Sequence, residues 1–143
     1  MKRTATMDEK SAELDTADIV VSVGMGIGGP ENLPVLYRLA DVLGAAVGAS
    51  RNVTDSKWLP KQQQVGLTGK AIAPKLYIAI GIRGDFNHMV GVQKAGTIVA
   101  INKNKNARIF KSADFGIVAD YAVAVPALTA ALEEAKQRVR AAG

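Results

Sequence analysis

The run Leu76-Tyr-Ile-Ala-Ile80 is apolar without a break and gives way at once to Gly81-Ile-Arg-Gly84. A helical segment carrying the chain's single histidine, His88, follows, and then a second apolar run, Thr97-Ile-Val-Ala-Ile101, which ends in Asn102. Strands with no polar alternation are buried on both faces, which is the habit of a parallel sheet covered by helices on each side. The spacing predicts a strand–helix–strand unit whose first turn carries few side chains. Such a turn exposes backbone N–H groups to a phosphate at the start of a helix. A dinucleotide-binding α/β domain is the expectation.

The rest of the chain keeps the same alternation. Asp18-Ile-Val-Val-Ser-Val23 reads as a buried strand and Gly24-Met-Gly-Ile-Gly-Gly-Pro30 as the turn after it. Pro30 suits a helix N-terminus. Leu33, Leu36, Leu39, Ala40 and Leu43 recur at helical spacing, with Gly44 as the stop. Ala45–Ala49 reads as a small-residue strand ending at Ser50-Arg51. Residues 52–74 form a long connection, a strand follows at 76–80, a helix over about 85–95 and a strand at 97–101. A last strand is expected around Gly116–Ala119 and a closing helix after Pro126. Residues 1–16 are polar and aperiodic and read as a leader or linker, leaving 17–143 as one domain. The predicted class is α/β, a three-layer, doubly wound, Rossmann-like parallel sheet.

Composition narrows the chemistry. Hydrophobic residues make up 48% of the 143 and aromatics only 5%, so the core is aliphatic. The absence of cysteine excludes a disulfide framework, thiolate metal ligands and a cysteine nucleophile. No apolar run approaches the roughly 20 residues of a membrane span, and the N-terminus lacks the apolar core of a signal peptide; a cytoplasmic protein is expected. The net charge of +5 suits an anionic cofactor or an acidic partner. The most basic stretch, Asn102-Lys-Asn-Lys-Asn-Ala-Arg108, has no interleaved aromatics for base stacking and reads as a solvated loop.

Gly24, Gly26 and Gly29 match G-x-G-x-x-G between a strand and a helix, the context of a dinucleotide fingerprint. The NAD version also needs an acid at the end of the second strand to hold the ribose. That place holds Ser50-Arg51, so a pyridine-nucleotide enzyme is the weaker reading. In the second turn Arg83 adds a cation beside Gly81 and Gly84. HExxH, GxSxG and a second histidine are all missing, and a redox cofactor carrying its own reactivity is the economical alternative to side-chain catalysis.

Six segments occur in order: Gly48-Ala-Ser-Arg51, Gln64-Val-Gly-Leu-Thr-Gly69, Leu76-Tyr-Ile-Ala-Ile-Gly81, Asn87-His88, Ile98-Val-Ala-Ile-Asn-Lys103 and Ala113-Asp-Phe-Gly-Ile-Val-Ala-Asp120. From about residue 17 onwards the chain resembles the C-terminal FAD-binding domain of the alpha subunit of electron-transfer flavoproteins. The resemblance implies FAD extended across the switch point of the sheet. It also implies a beta-type partner subunit, a dehydrogenase as electron donor, and an electron carrier rather than a substrate-transforming enzyme. Ser50 and Arg51 would lie near the flavin, the arginine favouring its anionic reduced form. Val65, Gly66, Leu67 and Thr68 would follow the ring edge, where the Thr68 hydroxyl meets a ring nitrogen or carbonyl. Arg83 and Gly84, Asp85, Phe86, Asn87 and His88 would follow the pyrophosphate and ribityl chain, with His88 reaching the pyrimidine end. Asn102 and Asp120 would hold the adenosine half, and Tyr121 is expected among the cofactor-binding residues.

The sequence departs from the family pattern at four of these places. The family has arginine where Met25 stands, glutamine at Leu67, serine at Arg83 and alanine at Asp85. Met25 removes a phosphate-pairing cation, which Arg83 replaces at the other glycine turn, opposed by Asp85 unless that residue caps the helix. Leu67 removes a hydrogen bond at the flavin edge and shifts potential more than affinity. The family's further N-terminal domain has no counterpart, so the chain is a fragment or that part resides on another polypeptide. A non-redox adenine-nucleotide-binding scaffold of the same fold is the alternative function.

Overall fold

The structure, a computed structural model, describes residues 13–142; the first twelve positions of the expected leader lie outside them. Residues 13–16 are helical, and Leu14 is buried beneath the sheet. Five strands follow: β1 (Ile19–Val23), β2 (Ala46–Ala49), β3 (Leu76–Ile80), β4 (Thr97–Asn102) and β5 (Phe115–Val118). They form one sheet in the order β2-β1-β3-β4-β5, with every pairing parallel. The predicted α/β class with a doubly wound parallel sheet is the architecture observed.

Alternation along the strands divides the core between two faces. Val21, Val23, Ile78, Ile80 and Ile101 pack on one side under α1 (Leu33–Leu43) and α5 (Tyr121–Ala142). Val20, Tyr77, Ala79, Ile98 and Ala100 pack on the other, with Leu14, Val65, Val92 and Ile109. Helix α1 buries Leu33, Leu36, Leu39 and Ala40 on one stripe, as its spacing predicts. It stops at Gly44, whose φ of 65° lets its N–H reach back to the carbonyls of Ala40 and Asp41.

Two helix boundaries and the content of two loops differ from expectation. Helix α3 (Phe86–Val90) is five residues long rather than running to 95. Its chain turns at Gly91, where any Cβ would sit 2.5 Å from the Gly66 nitrogen, so close packing ends the helix. The closing helix α5 begins at Tyr121, well before Pro126, because Asp120 supplies a cap: its Oδ1 accepts the Ala122 N–H at 2.9 Å. The long connection after β2 contains a short helix, α2 (Arg51–Asp55), and a 3-10 turn over Lys61–Gln63. The loop carrying Ile109 and Phe110 contains another, α4 (Ile109–Ser112).

Strands β1 and β3 are neighbours although β2 separates them in sequence. The chain therefore leaves the sheet centre in opposite directions on either side of this pair. In open α/β sheets that reversal opens a crevice beyond the carboxyl ends of the strands. Among the described residues no helix is long and apolar enough to cross a membrane.

Candidate functional site

A cleft of about 730 Å³ lies at that crevice, within the size range of cofactor sites. Its floor is the two glycine turns, Met25-Gly26 after β1 and Gly81–Gly84 after β3. Ser50, Arg51 and Asn52 close one end, Asn87 and His88 lie beside the second turn, and Asn102–Asn104, Asn106–Arg108, Asp120 and Tyr121 close the other end. Arg51, Arg83, Lys103 and Arg108 give the lining more positive than negative charge, against Asp85 and Asp120. That balance suits a doubly charged anion.

The two glycine turns turn out to have different tasks. The Gly24 N–H donates to the Ile80 carbonyl at 2.9 Å and the Gly26 N–H to Gly81 at 3.0 Å. A Cβ on Gly24 would lie 2.2 Å from the Gly81 oxygen. The first turn is therefore bare so that it can interlock with the second, and those donors are not available to a phosphate. The fingerprint reading of Gly24–Gly29 as a phosphate cradle is corrected accordingly. In the second turn, by contrast, the N–H groups of Arg83, Gly84, Asp85, Phe86 and Asn87 donate to no acceptor among the described residues. Gly84 has a φ of 84° and rests on the Ile109 backbone, where a Cβ would meet Cα at 2.5 Å. Successive free N–H groups around such a residue form an anion-binding concavity.

Several predicted residues line the cleft already engaged with the protein. Arg83 Nη2 stands 3.9 Å from Asp85 Oδ1, with both side chains largely exposed. Asp85 occupies the position before α3, yet its side chain makes no cap there; it faces the cation instead. Arg51 pairs with Asp55 at 3.4 Å along α2, again in solvent, a contact worth little on its own. The Ser50 hydroxyl caps nothing. Asn102 donates through Nδ2 to Ile82 O at 3.1 Å and accepts the Asn104 N–H at 2.8 Å, so its amide clips the loop to the second glycine turn. Tyr121 donates its hydroxyl to Ile27 O at 2.9 Å. Burial first, then the carboxylates of Asp120 and Glu31, hold its phenol above the ordinary value, so it stays a neutral donor.

His88 is buried, with Nε2 2.6 Å from the Tyr77 hydroxyl. Nδ1 is buried with no partner inside hydrogen-bond geometry, although the Val65 carbonyl lies near enough to the ring to favour its protonated form. Burial dominates and pushes the imidazole down to about 4, which leaves it neutral at physiological pH.

Five predicted residues stand outside the lining. Val65 is buried in the core, and Gly66, at a φ of 136°, packs against the Asn87 carbonyl. The Leu67 N–H donates to Asn87 O at 2.7 Å while its side chain is exposed. Thr68 is exposed beside it, and Phe86 is 70% exposed at the start of α3. The 65–68 turn thus buttresses Asn87 and His88 from behind. The basic stretch read as a solvated loop is largely exposed and also forms a wall of the cleft. Asn102 and Asn104 each accept a backbone N–H two residues on, folding it as two successive Asx turns. Its place directly after a central parallel strand was the signal that could have found it.

The residues present fit a pyrophosphate-bearing cofactor: free backbone donors stand beside cations, and an unpartnered ring nitrogen lies under the cleft. Comparison with known proteins agrees with that geometry. Residues 13–93 match the family model described as the electron transfer flavoprotein FAD-binding domain. The electron transfer flavoprotein subunit alpha of Thermoanaerobacterium thermosaccharolyticum is 53% identical over 124 residues, covering 87% of this chain and 37% of that protein. The Pseudomonas aeruginosa subunit is 52% identical over 120 residues, covering 84% and 39%. Protein FixB of Salmonella typhi is 49% identical over 133 residues, covering 91% and 42%. The chain thus spans roughly two fifths of each relative's length. With more than half of its residues inside the family model, the chain belongs to the electron transfer flavoprotein alpha-subunit FAD-binding domain family.

Proposed function

We propose that this chain is the FAD-holding module of an electron carrier that works with a beta-type subunit, takes electrons from a dehydrogenase and passes them on. The observation that carries the reading is the run of free N–H groups from Arg83 to Asn87 at the switch-point cleft. FAD, when bound, would supply the electron-accepting ring. The chain's own residues hold and orient. The second glycine turn would receive the pyrophosphate, with Arg83 beside it. Arg51 and Ser50 would face the ring from the far side of the crevice, and Asn102 and Asp120 the adenosine end. Among the described residues there is no cluster of side chains able to hold a metal ion, and the one histidine is neutral. Electron entry by close approach fits these residues better than acid–base chemistry does.

The test is direct. The purified chain is incubated with FAD, separated by gel filtration and scanned in the visible region. A retained yellow chromophore with shifted absorption supports the proposal; a colourless protein overturns it. Equal affinity for ADP and FAD would favour the non-redox scaffold instead. Arg83→Ser is expected to weaken FAD by about 1 kcal/mol, or roughly fivefold, since the cation is exposed and already shared with Asp85. Unchanged affinity would remove Arg83 from the phosphate site.

A further inference from the structure

Four cations line the cleft, and the protein itself answers only two of them. Arg51 is paired with Asp55 and Arg83 with Asp85. Lys103 and Arg108 enter no ion pair among the described residues. The other carboxylate of the lining, Asp120, is engaged in capping α5, where its Oδ1 accepts the Ala122 N–H. Unpaired cations around one recess repel each other until an anion enters it.

Of the two, Arg108 is the one held beside the second glycine turn. The Ile109 N–H donates to the Arg83 carbonyl at 2.9 Å, and a Cβ on Gly84 would meet the Ile109 nitrogen at 2.6 Å. Ile109 is fully buried, which anchors this contact to the core. On the other side of Arg108, the Ala107 N–H donates to the Asn104 carbonyl at 3.0 Å, and Asn104 Oδ1 accepts the Asn106 N–H at 3.0 Å. The backbone is therefore fixed on both sides of Arg108 while its side chain stands exposed at the cleft. Lys103 sits at the other end of the loop, next to Asn102.

A guanidinium suits that place. It stays charged across the working pH range, and its planar fork can engage two phosphate oxygens at once. Arg83 has the same chemistry but has to share its charge between Asp85 and a ligand. Arg108 has no such partner to give up. We propose that Arg108 is the principal cation for the diphosphate of the cleft's occupant, with Arg83 the lesser one. The inference rests on the reading of the cleft as a dinucleotide site and names the residue that carries most of the ionic contact there.

The experiment compares Arg108→Gln, Arg108→Glu, Arg83→Ser and Lys111→Gln in the full chain. Lys111 is exposed on α4 outside the lining and controls for the loss of one positive charge. Affinity for FAD is read from flavin fluorescence and affinity for ADP from calorimetry. Arg108→Gln is expected to weaken both ligands roughly tenfold and Arg108→Glu roughly a hundredfold, with Lys111→Gln close to the unaltered chain. The melting temperature of the unliganded protein is expected to stay the same in both Arg108 variants, because the backbone makes the contacts that fix the loop. Unchanged affinity in Arg108→Gln, an equal loss in Lys111→Gln, or a larger loss in Arg83→Ser would overturn the proposal. So would a glutamate variant no weaker than the glutamine one, or a loss that comes with a lower unliganded melting temperature. If the unaltered chain binds ADP but not FAD, the flavin reading falls and the ADP series still decides the role of Arg108. Binding of neither overturns both. If FAD binds and Arg108→Glu binds it equally well, only the assignment of Arg108 falls.

Discussion

His88 is the chain's single imidazole, and its environment turns it into a pH-dependent element of stability. Its folded value lies at about 4 against 6.5 for a free histidine, chiefly through burial, with the Val65 carbonyl and the Asp85 charge opposing. Between these values the unfolded chain binds a proton that the folded chain does not. Stability is therefore complete above pH 6.5 and falls as pH drops towards 4, by roughly 3 kcal/mol at about 1.4 kcal/mol per unit. Urea titrations at pH 7.5 and 4.5 are expected to show this loss in the unaltered protein and a smaller one in His88→Gln. Equal losses in the two would place the titrating group elsewhere. A histidine inside a short helix was legible in the sequence, but its neutrality was not. That property comes from burial against the sheet, where the ring meets the hydroxyl of Tyr77 from β3, itself a phenol that burial holds well above the ordinary value. Eleven positions separate the two residues, and no spacing rule joins a strand side chain to a helix one.

At the scale of elements, strands and helix α1 were legible because their signals are local: unbroken apolar runs, a stripe of leucines and a terminal glycine. The misread pieces depend on contacts between segments. Pro126 signalled a helix start, yet the Asp120 cap begins α5 earlier and the proline is absorbed inside the helix. The glycine fingerprint after β1 was recognised correctly as a tight turn and given the wrong reason, because periodicity cannot reveal that Gly24 meets Gly81. Gly24→Ala is expected to destabilise by about 3 kcal/mol, since the new methyl would collide with backbone rather than with a yielding side chain. Gly44→Ala, with open space around it and only a positive φ to resist, is expected to lose about 1 kcal/mol. Chemical denaturation compares the pair directly. Similar losses would mean that the interlock is not tight.

Over the whole molecule, the cleft draws on the carboxyl ends of β1, β2, β3 and β4 and the loop before α5. A ligand seated there contacts the folded sheet and nothing resembling it in the unfolded chain, so its binding adds to stability by mass action. At a hundred times its dissociation constant, FAD is expected to add about 2.7 kcal/mol, seen as a rise in melting temperature of roughly 5–10 °C. A melting curve indifferent to FAD would contradict the proposed occupant. At this scale α/β class and parallel order were anticipated by alternation alone. The exposure of Phe115, Ile117 and Val118 along the edge strand β5 was not, because an apolar run reads the same whether or not a neighbour covers it.

The interlock of the two glycine turns also sets an order of events. Half of the cleft floor follows β1 and the other half follows β3, and each holds the other in place. A growing chain that has emerged only as far as β2 has no seat to offer. Any ligand of the cleft must wait until the third strand has slid in beside the first, so the proposed cofactor would reward completed assembly but could not template its beginning.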